Sequence, residues 1–302
     1  MEKSFIKSVC DKYNLGGLKS FSVIPLGLIN KKILITSSRG KFVLRLSIRS
    51  ARQLEFEVAL LNHICELKVI RLMPYAPGKY ISFYNKTPYL VYKFIKGEIP
   101  KKITLQLINQ IGKFQGKFHV LGRSFKLQVK RDYYYDFSKP RVREFYKKLY
   151  KKTPPQFKKQ FRVVRDTLLN IQLPKNIPTG PIHVDIKPEN VLVKKGELAG
   201  VLDFDNSYFG PYIIDIGKTV MWWCINKGRV NQQNFQEFIK AYTSQRKLTS
   251  IEQRLLGQSI LHAIASHIYI DYLKYQEGII PLSYLTMLHR EFYPVLLKDI
   301  NR

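Results

Sequence analysis

Residues 181–215 read PIHVDIKPENVLVKKGELAGVLDFDNSYFGPYIID, and the rest of the chain is interpreted outward from them. His183-Val184-Asp185 is followed by Asn190 and then by Asp203-Phe204-Asp205. Two apolar runs, Asn190 to Val193 and Leu198 to Leu202, flank Lys195-Gly196-Glu197, which reads as a hairpin turn. A hairpin of that length is expected to return Asp203 to the neighbourhood of Asn190 and Asp185. Phosphoryl transfer uses this combination of groups. One carboxylate orients the attacking hydroxyl and takes its proton, while a second carboxylate and an amide oxygen hold magnesium against the phosphates. Asp and Asn also favour turns, so any one of them alone would read as a strand end. Together, inside apolar strands, they read as a site.

The kinase signature H-R-D-x-x-x-x-N followed by D-F-G sets the same residue types at this spacing. On these residues the chain resembles the aminoglycoside phosphotransferase and choline kinase group, small-molecule kinases that share the protein-kinase fold. The resemblance implies Asp185 as the base and Asn190 and Asp203 as metal ligands, with ATP and Mg²⁺ as cofactors. It further implies an α+β, two-lobed protein-kinase-like fold. The small N-lobe, residues 1–93, would carry an antiparallel sheet plus a helix. The larger, mainly helical C-lobe, residues 94–302, would follow a hinge at about 93–97. Three departures argue against a protein kinase. Val184 replaces the Arg of the loop, Asp205 replaces the Gly of D-F-G, and no A-P-E follows. The chain continues instead as Gly210-Pro211-Tyr212-Ile213-Ile214-Asp215, where Asp215 matches the small-molecule kinases' Asp that braces the catalytic loop.

A chain of 302 residues with 45% hydrophobic content can bury a full core and build two lobes. No run of eighteen or more uncharged apolar residues appears, and MEKSFIKSVC is too polar for a signal peptide. Cys10, Cys65 and Cys224 are scattered and suit free thiols, so a cytoplasmic location is expected and a structural zinc site has no support. Net charge is +29, a balance found in nucleic-acid and anionic-membrane binders and equally in lysine-rich genomes.

In the N-terminal part, Phe5 to Tyr13 reads as a short helix, and Ser22 to Pro25 and Lys32 to Thr36 as strands. The turn between them holds Gly27 and Asn30, which match the family's phosphate-covering loop in position but lack its full glycine pattern. Arg45, in the strand Lys41 to Leu46, stands where the resemblance places the phosphate-contacting basic residue. The helical stretch Arg52 to Leu67 offers Glu55 and Glu57 as its partner, and Glu57 matches the family better. Pro88 to Glu98 reads as the strand that leaves the lobe, with the backbones of Lys93 and Ile95 as candidate adenine contacts.

Leu105 to Leu121 is a helix with apolar residues three and four apart, and its His119 reads as structural. His183 reads as a brace of the catalytic loop rather than an acid or base, and Lys187 as a contact to the transferring phosphoryl. Arg131 to Phe137 offers Asp132 and Asp136 as a wall of the acceptor site. Lys139 to Arg165 is strongly basic and interleaved with Phe145, Tyr146, Tyr150 and Phe161, broken at Pro154-Pro155 into two helices. A weak, nonspecific face for RNA or an anionic surface is one reading of this run. A solvated helix pair with core-facing aromatics is the other, and the lysine excess throughout the chain favours it. Thr249 or Ser250 opens a long apolar helix over Ile251 to Tyr275, and a last helix is expected over Leu282 to Leu297.

From about residue 90 to 275 the text is similar to bacterial homoserine kinases of the aminoglycoside-phosphotransferase type. Tyr242, Arg246, Leu248, Thr249 and Glu252 match their Tyr-x-x-x-Arg-x-Leu-Thr-x-x-Glu run. The implied activity is an ATP- and Mg-dependent transfer to a hydroxyl of a small metabolite, with homoserine first. Amino sugars, choline or ethanolamine are the alternatives, as is a kinase-fold binding protein with a basic face. For a zwitterionic acceptor, Asp205 is the first candidate for the ammonium, with Asp132 and Asp136 in reserve. Arg141 or Arg143 would meet the carboxylate, and Trp222 or Trp223 would close an apolar wall.

Overall fold

The computed structural model describes residues 2–25, 30–128, 137–171 and 173–300, without the side chains of 298–300. Two compact units emerge. One comprises Met1–Pro100, Phe125–Val129 and Asn190–Ser207, and the other Lys101–Ser124, Lys130–Glu189 and Tyr208–Arg302. The chain passes from one to the other inside the catalytic-loop text, between Glu189 and Asn190.

The first unit is built on strands β1 (Leu18–Ile24), β2 (Lys31–Ser37), β3 (Gly40–Leu46), β4 (Ser82–Tyr84) and β5 (Thr87–Lys93). They form an antiparallel sheet in the order β1-β2-β3-β5-β4. Helix α1 (Lys3–Lys12) seals one face by burying Phe5, Ile6, Val9 and Cys10 against Ile33, Ile35, Phe42, Leu44, Tyr89 and Val91. Helix α2 (Ala51–His63) starts at Ser50, whose hydroxyl and Gln53 form a reciprocal capping box.

A late hairpin joins this unit, from strands the text places far downstream. β7 (Val191–Lys194) and β8 (Glu197–Val201) pair around Lys195-Gly196, both with positive φ, as a tight two-residue hairpin turn requires. Bridges Val69↔Val201 and Glu98↔Val193 tie the hairpin to the preceding chain.

The second unit is mainly helical: α3 (Leu105–Gly122), α4 (Lys139–Tyr150), α5 (Lys158–Asn170), α6 (Tyr212–Cys224), α7 (Gln232–Thr243), α8 (Ser250–Gln276), α9 (Leu282–Glu291) and α10 (Tyr293–Ile300). A two-strand ladder of β6 (Thr179–Ile182) and β9 (Tyr208–Pro211) carries the loop that starts at His183 out of its buried end. Helices α3 and α7 approach closely because a Cβ on Gly112 would stand 2.7 Å from the Phe238 carbonyl, and one on Gly116 2.7 Å from that of Tyr242. Helix α8 starts at Thr249 with a capping box to Glu252, as its text suggests, and runs through the middle of the core. Among the described residues no helix is long and apolar enough to cross a membrane.

One expectation needs adjustment. The last helix is two helices, α9 and α10, because Pro294 brings no N–H and must sit in a first turn, so the chain restarts after Phe292. In the basic run, Phe145 and Phe161 are buried. Arg165 lies 4.3 Å over the Tyr146 ring and Arg162 5.4 Å over that of Tyr150, so these aromatics serve packing on the helix pair.

His289 of α9 is buried, stacked on Phe157 at 4.4 Å, with its Nε2 2.7 Å from the Tyr272 hydroxyl. Burial pushes it down to about 4, and burial also lowers His119 and His267. Native His289 therefore stays neutral where an unfolded histidine takes up a proton near pH 6.5. Its contribution to stability is full above about pH 6.5 and is lost as pH falls toward 4, at about 1.4 kcal/mol per pH unit. Urea unfolding at pH 7, 6 and 5 should show this slope and a shallower one in His289→Gln. Equal slopes in the two proteins would contradict it.

Candidate active site

In the first unit the C-terminal end of β3 carries Arg45, and α2 presents Glu57 to it. The guanidinium donates from Nη1 to Oε1 at 2.8 Å and from Nη2 to Oε2 at 2.5 Å, with both side chains buried. Burial works against the Arg45 charge, but Glu57 outweighs it and, with Asp205, holds the group protonated. Glu55, the alternative partner, is exposed.

The hairpin β7–β8 brings Asn190 and Asp203 to its open end. Val191 is paired with Val201, and the Leu202 N–H donates to the Asn190 carbonyl at 2.8 Å. Asp203 has a left-handed backbone, φ 65° and ψ 61°, and starts the single 3₁₀ turn Phe204–Asn206. Lys32 Nζ lies 3.4 Å from Asp203 Oδ2. Asn30 donates from Nδ2 to Asp205 Oδ2 at 2.7 Å, and Arg49 Nη2 donates to Asn206 Oδ1 at 2.6 Å. Burial, followed by the charge of Asp203, pushes the Asp205 carboxyl up to about 7, while Arg45 draws it back. Nothing in the sequence marks Lys32 or Arg49, since lysine and arginine are too common in this chain to mark a site.

These donors fit magnesium. Asp203 and Asn190 offer hard oxygens at one end of one hairpin, and the mutual repulsion of Asp203 and Asp205 is what a divalent cation relieves. No group of three or more His, Cys, Asp or Glu among the described residues is arranged to hold a metal. A site that completes its shell with phosphate oxygens and water does not need one.

Of the stretch expected to meet adenine, Lys93 donates its N–H to the Arg71 carbonyl and Phe94 donates to that of Lys41, both as ordinary 2.9 and 3.0 Å bonds. The Lys93 N–H is thereby used within the protein. The turn 26–29 with Gly27 lies outside the described residues, as do Asp132 and Asp136.

In the second unit the catalytic loop hangs on Asp215, at the start of α6. Its Oδ2 accepts from the His183 N–H at 3.1 Å and its Oδ1 from the Val184 N–H at 2.6 Å, and Val184 has φ 61°. Behind the carboxylate, His119 Nε2 is 2.9 Å from Oδ2, His119 Nδ1 2.8 Å from the Tyr242 hydroxyl, and Arg246 reaches that hydroxyl at 2.9 Å and Glu252 at 2.8 Å. This order of contacts assigns the tautomer: Arg246 donates to Tyr242, Tyr242 to Nδ1, and Nε2–H to Asp215. Burial would raise the Asp215 carboxyl, but His119 and the Val184 N–H hold it below the usual carboxylate range. Tyr242, Arg246 and Glu252, visible in the text only as a matching run, thus form the loop's foundation.

On the loop itself the Asp185 N–H donates to His183 Nδ1 at 3.2 Å, so His183 acts as a brace. Trp223 donates from Nε1 to the Ile186 carbonyl at 2.7 Å. Lys187 Nζ is 3.5 Å from Asp185 Oδ2 and 5.8 Å over the Trp222 ring. Trp223 is a buried support of the loop, and Trp222 is the tryptophan beside Lys187. Arg141 is engaged with Glu144 at 2.6 Å on α4, and Arg143 is exposed.

The chain matches the model of the phosphotransferase enzyme family over residues 20–247. It is similar to a homoserine kinase of Rhizobium meliloti, with 25% identity over 91% of this chain and 87% of the relative. It is also similar to the homoserine kinase of Sinorhizobium fredii, with 27% identity over 91% and 88%. An amicoumacin kinase in complex with AMP-PNP and Ca²⁺ shares its fold with a TM-score of 0.71 and 17% identity, over 99% of this chain and 96% of that one. A spectinomycin phosphotransferase in complex with ADP and spectinomycin does so with a TM-score of 0.67 and 15% identity, over 95% and 93%. With an antiparallel sheet in one unit, a helical second unit and the braced loop between β6 and β7, the chain belongs to the phosphotransferase enzyme family and is a small-molecule kinase with a protein-kinase-like fold.

Proposed function

We propose that the protein transfers the γ-phosphoryl group of ATP to the hydroxyl of homoserine, in the cytoplasm. The observation that carries the reaction is the Asp215 anchor, which holds Asp185 on a fixed loop five residues before Asn190. The curated relatives named homoserine kinase, which align along most of the chain, support the acceptor.

Asp185 orients the hydroxyl and accepts its proton as the oxygen attacks phosphorus. Lys187, already beside Asp185, meets the negative charge that develops on the transferring group. Arg45, fixed by Glu57, positions the nucleotide phosphates, and Asn30 holds Asp205 in place behind Asp203. The backbone of Ile95 meets the adenine. Asn190 and Asp203 would hold Mg²⁺, which supplies charge neutralisation of the phosphates when bound.

In Asp185→Asn, kcat should fall about 10²–10⁴-fold while ATP affinity changes little. Full activity in that variant would remove Asp185 from the role of base.

Removing one partner of the Arg45–Glu57 pair leaves a buried charge unmatched, so Glu57→Ala should lose about 3–5 kcal/mol of stability. The double variant Arg45→Met with Glu57→Leu should recover most of that in a denaturant titration and still bind ATP weakly. A double variant that binds ATP like the parent would show the pair to be structural alone.

Homoserine carries both an ammonium and a carboxylate, and 3-amino-1-propanol lacks the carboxylate. A site that pairs both charges should lose most of its kcat/KM on that change. Equal rates would favour an amino-alcohol or amino-sugar acceptor.

A further inference from the structure

We infer that Asp271, on α8, holds the ammonium group of the amino-acid acceptor while Lys274 and Lys218 face its carboxylate; this rests on the amino-acid reading proposed above. Asp271 stands in the run Ile268 to Leu273, whose neighbouring side chains are core, and is itself only 1% exposed. A carboxylate taken that far from water is costly unless it is matched. Lys274 Nζ lies 3.1 Å from its Oδ1 and His267 Nε2 3.2 Å from its Oδ2. Both oxygens are buried, and neither contact is aligned as a hydrogen bond. Burial raises the Asp271 carboxyl and Lys274, the cation in contact with it, draws it back, while both oxygens keep acceptor directions for a donor from outside.

Its neighbours supply the rest of a zwitterion site. His267 is a neutral partner, because burial, reinforced by Lys218, Lys274 and Lys187, keeps it from taking a proton. Lys218 is buried on α6 and donates to the Ala263 carbonyl at 3.0 Å. Trp222 packs edge-on to His267 with ring centroids 5.0 Å apart, and its Nε1 is buried with no hydrogen-bond partner among the described residues. An indole face suits an ammonium, and the indole N–H suits a carboxylate or hydroxyl oxygen.

The same tryptophan lies under Lys187, which contacts Asp185. Asp271 is thus linked by touching side chains to the residue that receives the hydroxyl proton. The Tyr284 phenol, held protonated by burial, feels the charges of Asp271, Asp185 and Glu189.

One buried carboxylate among Lys187, Lys218 and Lys274 suits one ammonium accompanied by an anionic group. A sugar with several ammonium groups would meet more repulsion than pairing here.

The test measures kcat/KM of the full chain with ATP and Mg²⁺ on homoserine, on 4-hydroxybutyrate, which lacks the ammonium, and on 3-amino-1-propanol, which lacks the carboxylate. Wild type should prefer homoserine to each by a factor of about 10² or more. In Asp271→Asn the preference over 4-hydroxybutyrate should collapse to within about tenfold. Turnover of 4-hydroxybutyrate, ATP affinity and the thermal midpoint should hold. Lys274→Met should shift selectivity the other way, relaxing the rejection of 3-amino-1-propanol, which a merely structural role would not do. Wild-type turnover of homoserine with unchanged selectivity in Asp271→Asn overturns the assignment of Asp271 alone. A wild type that phosphorylates other hydroxyls but no zwitterionic one overturns the amino-acid reading, and the zwitterion subsite with it.

Discussion

A loop that must present a carboxylate to solvent cannot also pair its own backbone in a strand, so its N–H groups need another acceptor. Asp215 is that acceptor. One buried carboxylate takes the N–H groups of His183 and Val184, and this is what permits Val184 its left-handed backbone. A β-branched residue there is strained on its own and persists because the surroundings over-determine it. The rest of the second unit makes Asp215 tolerable: His119 lies against it, Tyr242 against His119, and Arg246 and Glu252 behind them. Each member is hydrogen-bonded to the next, with only Arg246 Nε left unpartnered among the network's described side-chain atoms, and a buried polar network so connected adds rigidity. The close contact of α3 and α7 at Gly112 and Gly116 serves the same end, because His119 is on the first helix and Tyr242 on the second.

The first unit solves a different problem. It holds two acidic side chains close together, and it manages them with fixed partners. Lys32 faces Asp203, Asn30 holds Asp205, and the Arg45–Glu57 pair lies behind. A cationic frame of this kind binds the anionic phosphates of a nucleotide and is compatible with a divalent ion between them. The positive charge of the chain is spread over loops and strands as well as over exposed helical surface such as α4 and α5.

Much of this was legible in the text, and for definite reasons. The hairpin around Lys195-Gly196 announces itself because two-residue turns need particular residues, and it carries Asn190 and Asp203 at its ends. Asp215 was legible because it follows at a fixed distance in a familiar run, and the start of α8 because a capping box is a local pattern. What was not legible depends on long-range packing. The ladder of β6 with β9 joins segments some 30 residues apart and shows no alternation of its own. Asp271 is an isolated acid in the apolar second half of α8, a pattern that only burial turns into a signal. The break of the last helix at Phe292 follows from Pro294, whose place in a first turn depends on where α9 ends, which is a matter of packing.

The braced loop is proposed to perform phosphoryl transfer to a small hydroxyl compound. The most direct measurement is ³¹P NMR of the purified protein with ATP, Mg²⁺ and homoserine. The account predicts a new phosphate monoester resonance coupled to the side-chain methylene, formed in step with ADP and absent when magnesium is chelated. A folded, nucleotide-binding protein that yields no phosphate ester from homoserine or from any other small hydroxyl compound would contradict it.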